Sequence, residues 1–292
     1  MASGKKTLFI ILAVLAGLSL VVFFAVTVAA AVSGGDMEPG FGSGVGLVEV
    51  LGPIYSSEEP VRLLNKYRDS KSVKAVVIRI DSPGGGVAAS QEIYEAVWRV
   101  RDAKPVVCSM GEVAASGGYY IACACDTIMA NPGTLTGSIG ALMEFMSAEE
   151  LIKKVGLRFE VVKAGEVKDV GSISRRMTPA ERAMLQAMLD DVHLQFMEAV
   201  ADGRGMDLDS LRPYADGRVF TGRQAWSLGL VDTLGTLEDA IFLAGRMGGL
   251  KEPPRVIKER KRKRSLYDLL FDFGETATKL DKGKVGLKYQ LR

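Results

Sequence analysis

The chain of 292 residues holds one histidine, His193, and three cysteines, Cys108, Cys123 and Cys125. A zinc site built on two or three imidazoles is therefore excluded. Three thiols supply neither a four-cysteine zinc knot nor a disulfide framework. A Ser-His-Asp triad is open only if His193 is its base. His193 lies in LDDVHLQFMEAV, among acidic and apolar residues at helical spacing, where a structural or surface role is the simpler reading. Cys123 and Cys125 stand two apart on an expected helix, so they face different directions and read as buried thiols.

What is present is ordinary in total and uneven in distribution. Apolar residues make up 48% and charged residues 25%, as in a globular protein with a large core. The net charge of +2 conceals an N-terminal tip of +2 (residues 1–6), an uncharged run (7–32), a body of −7 (33–250) and a tail of +7 (251–292). An acidic body argues against nucleic acid as the main partner, which would need a basic face.

Residues 7–32 are 26 uncharged, mostly apolar residues, about 39 Å long as a helix. A bilayer core of about 30 Å is spanned with some tilt. The run exceeds the apolar region of a secretory signal, so it reads as a retained transmembrane anchor. The rival is a cleaved signal, since Ala29-Ala30-Ala31 offers a small-x-small site. Lys5 and Lys6 before the run keep the N-terminus cytoplasmic and send the body across the membrane. A Gly-rich linker (33–44) precedes the body (45–248), and Lys251-Glu252-Pro253-Pro254 opens a basic C-terminal extension (249–292). That extension contains KERKRKR (258–264), read first as a solvated tail, with contact to anionic lipid or a neighbouring subunit as alternatives.

The body alternates strands and helices, which implies an α/β core. VGLVEV, VKAVVIRI (73–80), PVVCSM (105–110), TIMA (127–130) and FEVVKA (159–164) read as strands. AASQEIYEAVWRVRD (88–102), a segment within 114–125, and a long stretch from Pro179 to about Asp202 read as helices. Ser147-x-x-Glu150, Thr178-Pro179-x-Glu181 and Thr221-x-x-Gln224 look like capping boxes that open helices.

Two clusters could carry chemistry. Asp81-Ser82-Pro83-Gly84-Gly85-Gly86 follows a buried strand, and its glycines leave backbone N–H groups open to a ligand. It is neither a Walker loop nor GxGxxG, and a plain strand-to-helix turn is the alternative. Ala114-Ala115-Ser116-Gly117-Gly118 also follows a strand; its serine can project from a tight bend in the manner of a nucleophile elbow, or simply start a closely packed helix. A nucleophilic Ser116 needs a base. With His193 set aside, lysines remain, among them Lys168 in a loop after a strand. A lysine base must be buried to fall from about 10.4 towards neutrality.

Taken together, the SPGGG loop, AASGGYY, TGSIG, the Lys168-Asp169 pair before MTPAER, and ADGRVFTGRQAWSLGLVD resemble the signal peptide peptidase A family in its short, single-pass form, over about residues 45–248. The resemblance implies a Clp/crotonase-like ββα spiral and a serine endopeptidase that needs no cofactor. Its nucleophile would be Ser116 and its base Lys168. Ser138 would orient the lysine. The oxyanion hole would be the N–H groups of Gly117 and Gly85. It also implies hydrophobic peptide substrates, such as remnant signal peptides, at the cell membrane. A homo-oligomeric ring would share sites between protomers. A Clp-type triad would place a histidine about 25 residues after the serine, where Ala141 stands and no histidine is near. An acyl-CoA enzyme of the same fold and a non-catalytic membrane scaffold are the alternatives; neither accounts for the Ser116, Ser138 and Lys168 set.

Overall fold

The computed structural model describes residues 17–24, 42–259 and 288–290. The chain divides into two units. One comprises Met1–Pro39 and Glu259–Asp272, of which the helical segment α1 (17–24) and Glu259 are described. The other, Gly40–Lys258 with Phe273–Arg292, holds everything that follows. The apolar run 7–32 and the basic stretch 258–264 lie largely outside the described residues. Among the described residues no helix is long and apolar enough to cross a membrane.

In chain order the larger unit runs β1 (Gly44–Leu51), α2 (Glu58–Asp69), β2 (Val73–Ser82), β3 (Gly84–Gly86), α3 (Val87–Arg101), β4 (Val106–Ala115), α4 (Gly117–Ala122), β5 (Thr127–Ala130) and β6 (Leu135–Gly137). It continues with α5 (Glu149–Val155), α6 (Pro179–Arg204), α7 (Leu208–Leu211), β7 (Val219–Thr221), α8 (Gly222–Ser227), β8 (Thr233–Leu234), α9 (Leu237–Met247), β9 (Val256–Ile257) and β10 (Lys288–Gln290). One mixed sheet has β7, β6, β4, β2, β1 and β9 side by side, with β5 pairing both β4 and β8. The pairs are parallel except β6 with β7.

β2 is covered on both faces, which is why its sequence is almost continuously β-branched. On one face Ala75 and Val77 join Val45, Leu47, Val107 and Met129 beneath Ala240 and Ala244 of α9. On the other, the Ile80 side chain lies against α4, where a Cβ on Gly118 would come within 3.2 Å of it. The α/β core and the strands over β1, β2, β4 and β5 are as the sequence pattern predicts.

Four local expectations are corrected. FEVVKA (159–164) is not a strand: Phe159, Val161 and Val162 are exposed, and β-branched residues without a neighbouring strand to pair do not hold one. Ser147 does not cap α5, which starts at Glu149 after Ala148 with no side-chain cap bond. Gly84–Gly86 is a short strand rather than a bare turn, bridged to Ile54. α4 ends at Ala122, leaving Cys123 at its C-terminus and Cys125 beyond it. The boxes at Thr178 and Thr221 both form. Helix α2 carried no expectation; its acidic first turn (Glu58, Glu59) and basic last turn (Lys66, Arg68) suit the helix dipole.

Candidate active site

Ser116 sits between the last residue of β4 and the first of α4, with φ 54° and ψ −119°. Ser138 follows β6 with φ 52°. These are the only non-glycine residues at positive φ among the described residues. Side chains rarely adopt such backbone, which costs about 1–3 kcal/mol and persists only where surrounding structure imposes it. The imposing structure is visible. Ala115 and Gly137 are register partners on the parallel strands β4 and β6, so the two serines leave neighbouring strands side by side. Ser116 N–H donates to Gly137 O at 2.8 Å, and Ser138 N–H donates to Arg218 O at 2.8 Å. Thr136 Oγ1 donates to Ala114 O at 2.7 Å, and Val113 N–H donates to Asp81 Oδ1 at 3.1 Å, fastening the end of β4 from both sides. Both serines are buried.

The glycine strand lies beside them. Ser82 Oγ accepts from Gly84 N–H at 3.1 Å, and Gly84 has φ +95°, a left-handed bend that glycine adopts without strain. Ile54 then flanks one edge of β3: its N–H donates to Gly84 O at 2.9 Å, and its carbonyl accepts from Gly86 N–H at 2.7 Å. A Cβ on Gly85 would stand 2.1 Å from Ile54 O, so no side chain fits there. By strand alternation the N–H and C=O of Gly85 point to the opposite edge. α4 packs against β3, and a Cβ on Gly118 would be 3.0 Å from Ser82 O. As the first residue of α4, Gly117 has an N–H with no intrahelical acceptor. Ser116, Ser138, Gly85 and Gly117 are thus drawn to one end of the sheet.

Lys168 is not part of that cluster within the single chain. It lies exposed in the excursion between β6 and α6, and no hydrogen bond joins its side chain to Ser116 or Ser138. What fixes this excursion is a charged network that sequence reading did not assemble. Arg175 holds Asp169 through Nε at 2.9 Å and Nη2 at 2.8 Å. It holds Glu181 through Nη1 at 2.9 Å and Nη2 at 2.5 Å. Lys163 Nζ adds a bond to Asp169 at 2.5 Å. The Arg175 and Lys163 cations hold the Asp169 carboxyl well below the usual carboxylate range. Arg175 and the Thr178 backbone N–H bring Glu181 down to about 2. Glu181 closes the Thr178 capping box as well, so one carboxylate ties the lysine-bearing segment to the start of α6. The sequence signal was there, as alternating charges at 163, 169, 175 and 181.

Other nucleophiles are set aside by their surroundings. Cys108, Cys123 and Cys125 are buried and unpaired. Burial pushes the Cys123 thiol up to about 12, so it stays protonated at neutral pH. His193 Nε2, on α6, is buried with no hydrogen-bond partner among the described residues, which leaves it outside any triad. A cleft of about 560 Å3 lies between the excursion and α6, lined by Leu142, Phe145, Met146, Arg175, Met177 and Leu185 among others; neither catalytic candidate serine lines it.

A strained serine on a strand-to-helix bend, beside a glycine strand with an open edge, defines a serine hydrolase of the α/β class. Comparison with known proteins narrows this. The family model for peptidase family S49 matches residues 99–249, and that for Clp protease matches residues 57–134. A Synechocystis sp. protein named as a protease, slr0021, is 46% identical over 210 residues, 72% of this chain and 76% of that protein. The chloroplastic serine protease SPPA of Arabidopsis thaliana is 33% identical over 258 residues, 85% of this chain and 38% of its own length. Protease 4 of Salmonella typhi is 37% identical over 192 residues, 64% of this chain and 31% of its own. The chain belongs to peptidase family S49 and is a serine peptidase.

Proposed function

We propose that this chain is a membrane-anchored serine endopeptidase with a Ser-Lys dyad that degrades remnant signal peptides and similar hydrophobic peptides, and that its sites are completed between copies. The observation that carries the reading is the pair of imposed positive-φ serines beside Gly85 and Gly117.

In this mechanism Ser116 Oγ attacks the scissile carbonyl. Neutral Lys168 takes its proton and returns it to the leaving amine, and water then hydrolyses the acyl-enzyme with Lys168 again as base. Ser138 hydrogen-bonds the lysine and orients it. Gly85 and Gly117 N–H groups hold the developing oxyanion, each worth about 3–4 kcal/mol. A single chain lacks two things: Ser116 has no base, and Lys168 has no burial to lower its affinity for a proton. Docking a second copy supplies both. The excursion is suited to that contact, since Leu157, Phe159, Val161 and Val162 are exposed on it. The apolar run 7–32 would hold the body beside the bilayer where hydrophobic peptides emerge, on the extracytoplasmic side.

The test is a fluorogenic hydrophobic peptide assay on the full chain in detergent. Ser116→Ala and Lys168→Ala should each be folded and inactive, and mixed oligomers of the two variants should regain part of the activity. Retained turnover in Lys168→Ala would overturn the dyad. Mixed oligomers with no recovery would overturn the shared site.

A further inference from the structure

The strand β10 (Lys288–Gln290) pairs antiparallel with β3, setting Lys288 against Gly86, Tyr289 against Gly85 and Gln290 against Gly84. It belongs to the same unit as the body and also lies against α4, the helix that begins directly after Ser116. Ile54 takes one edge of β3, so β10 takes the other, the edge to which the N–H and C=O of Gly85 point. Among the described residues these two strands form a sheet of their own. The segment therefore lies, in extended form, on the edge that the proposed function gives to the peptide substrate, with Tyr289 opposite the glycine assigned to the oxyanion hole.

We infer that the C-terminal segment, through Lys288–Gln290, is an intramolecular occupant of the peptide-binding edge of β3 and competes with substrate for it. The inference rests on the reading of Ser116 and Gly85 as the catalytic site. The chemistry of recognition is strand addition: backbone hydrogen bonds to an open edge accept many sequences, so one edge can hold either the tail or a substrate. Only three residues pair, which makes a displaceable competitor rather than a permanent block. Covalent attachment compensates, because a tethered segment acts at a high effective concentration. The acidic body and basic extension add long-range attraction between the two.

The test uses the full chain in detergent and the variant Tyr289→Pro, which removes the backbone N–H that faces Gly85. With a fluorogenic hydrophobic peptide, Tyr289→Pro should lower KM at least about fivefold with kcat unchanged. A labelled synthetic peptide spanning residues 284–292 should bind Ser116→Ala/Tyr289→Pro at least about fivefold more tightly than it binds Ser116→Ala. Equal KM values and equal peptide affinities would overturn the inference. The two readings fail differently. If Ser116 is not the nucleophile, Ser116→Ala retains turnover while the difference in peptide affinity persists. If the tail does not occupy the edge, Ser116→Ala is inactive while Tyr289→Pro behaves as the parent.

Discussion

The end of the sheet that carries Ser116 and the excursion that carries Lys168 are built on opposite principles. Around Ser116 everything is buried, the backbone is forced into unfavourable angles, and hydrogen bonds from two parallel strands hold it there. Around Lys168 the chain is exposed, α5 has no buried residue, and position is fixed by ion pairs rather than by packing. A nucleophile must be preorganised before substrate arrives, and a rigid core does that. A lysine base has the converse need. It must be placed accurately yet remain uncovered until a partner surface buries it. A polar clasp with exposed apolar residues around it meets both conditions.

The sharpest way to break this comparison is at the two proposed catalytic side chains. Ser116→Ala should lower kcat at least about 10⁴-fold with the far-ultraviolet spectrum unchanged. Gly85→Ala comes next. A methyl group 2.1 Å from Ile54 O must displace β3, so we expect kcat to fall about 10²–10³-fold, as for loss of an oxyanion donor. A fall of less than threefold would remove Gly85 from the site.

Arg175→Ala probes the other region. Freed from Arg175, Asp169 and Glu181 no longer hold the lysine segment, and we expect kcat to drop about 10-fold with KM little changed. Partial rescue by Arg175→Lys would support placement of Lys168 over general stability. The same network sets a pH limit. Both carboxyls are held below their usual values, so its contribution is complete above their unfolded values near pH 4. It is lost as pH falls towards about 2, where Glu181 takes up a proton. Hydrogen exchange at rising acidity should therefore open the 163–178 segment before β4 in the parent chain. In Arg175→Ala that segment should already be open at pH 5.

How much of this was legible follows the same division. The buried strands announce themselves through β-branched runs, and Ser116 and Ser138 through small residues after strands, because packing and backbone constraints are local enough to leave marks in sequence. Their positive φ angles were not legible, since each is imposed by a neighbouring strand far along the chain. The excursion misled: FEVVKA has strand composition but no strand beside it. Arg175 was passed over because its two partners lie six residues away on either side, a spacing that belongs to no regular element. The pairing of β10 with β3 joins residues about two hundred positions apart, and a triplet of ordinary composition gives no hint of it.

A smaller effect separates stored strain from plain stability. Glycine at position 116 adopts φ 54° freely, so Ser116→Gly should abolish turnover while raising the melting temperature by about 2–4 °C relative to Ser116→Ala. Equal melting temperatures for the two variants would mean that the bend holds no strain to release.

The smallest effect sharpens the comparison through two helix caps of the same chemistry. Thr221 and Thr178 each accept from the N3 backbone N–H at 3.2 Å, and each box is closed by a returning side chain. Thr221→Ala should cost about 1 kcal/mol, a loss of about 2–4 °C in melting temperature. It should leave kcat unchanged, because Gln224 closes that box and has no part in holding Lys168. Thr178→Ala removes a cap of the same kind, but its returning partner is Glu181, which Arg175 also needs. With that anchor loosened, the same thermal loss should come with a fall in kcat of about two- to threefold. If the two variants lower kcat equally, the excursion is held by something other than the Arg175 clasp.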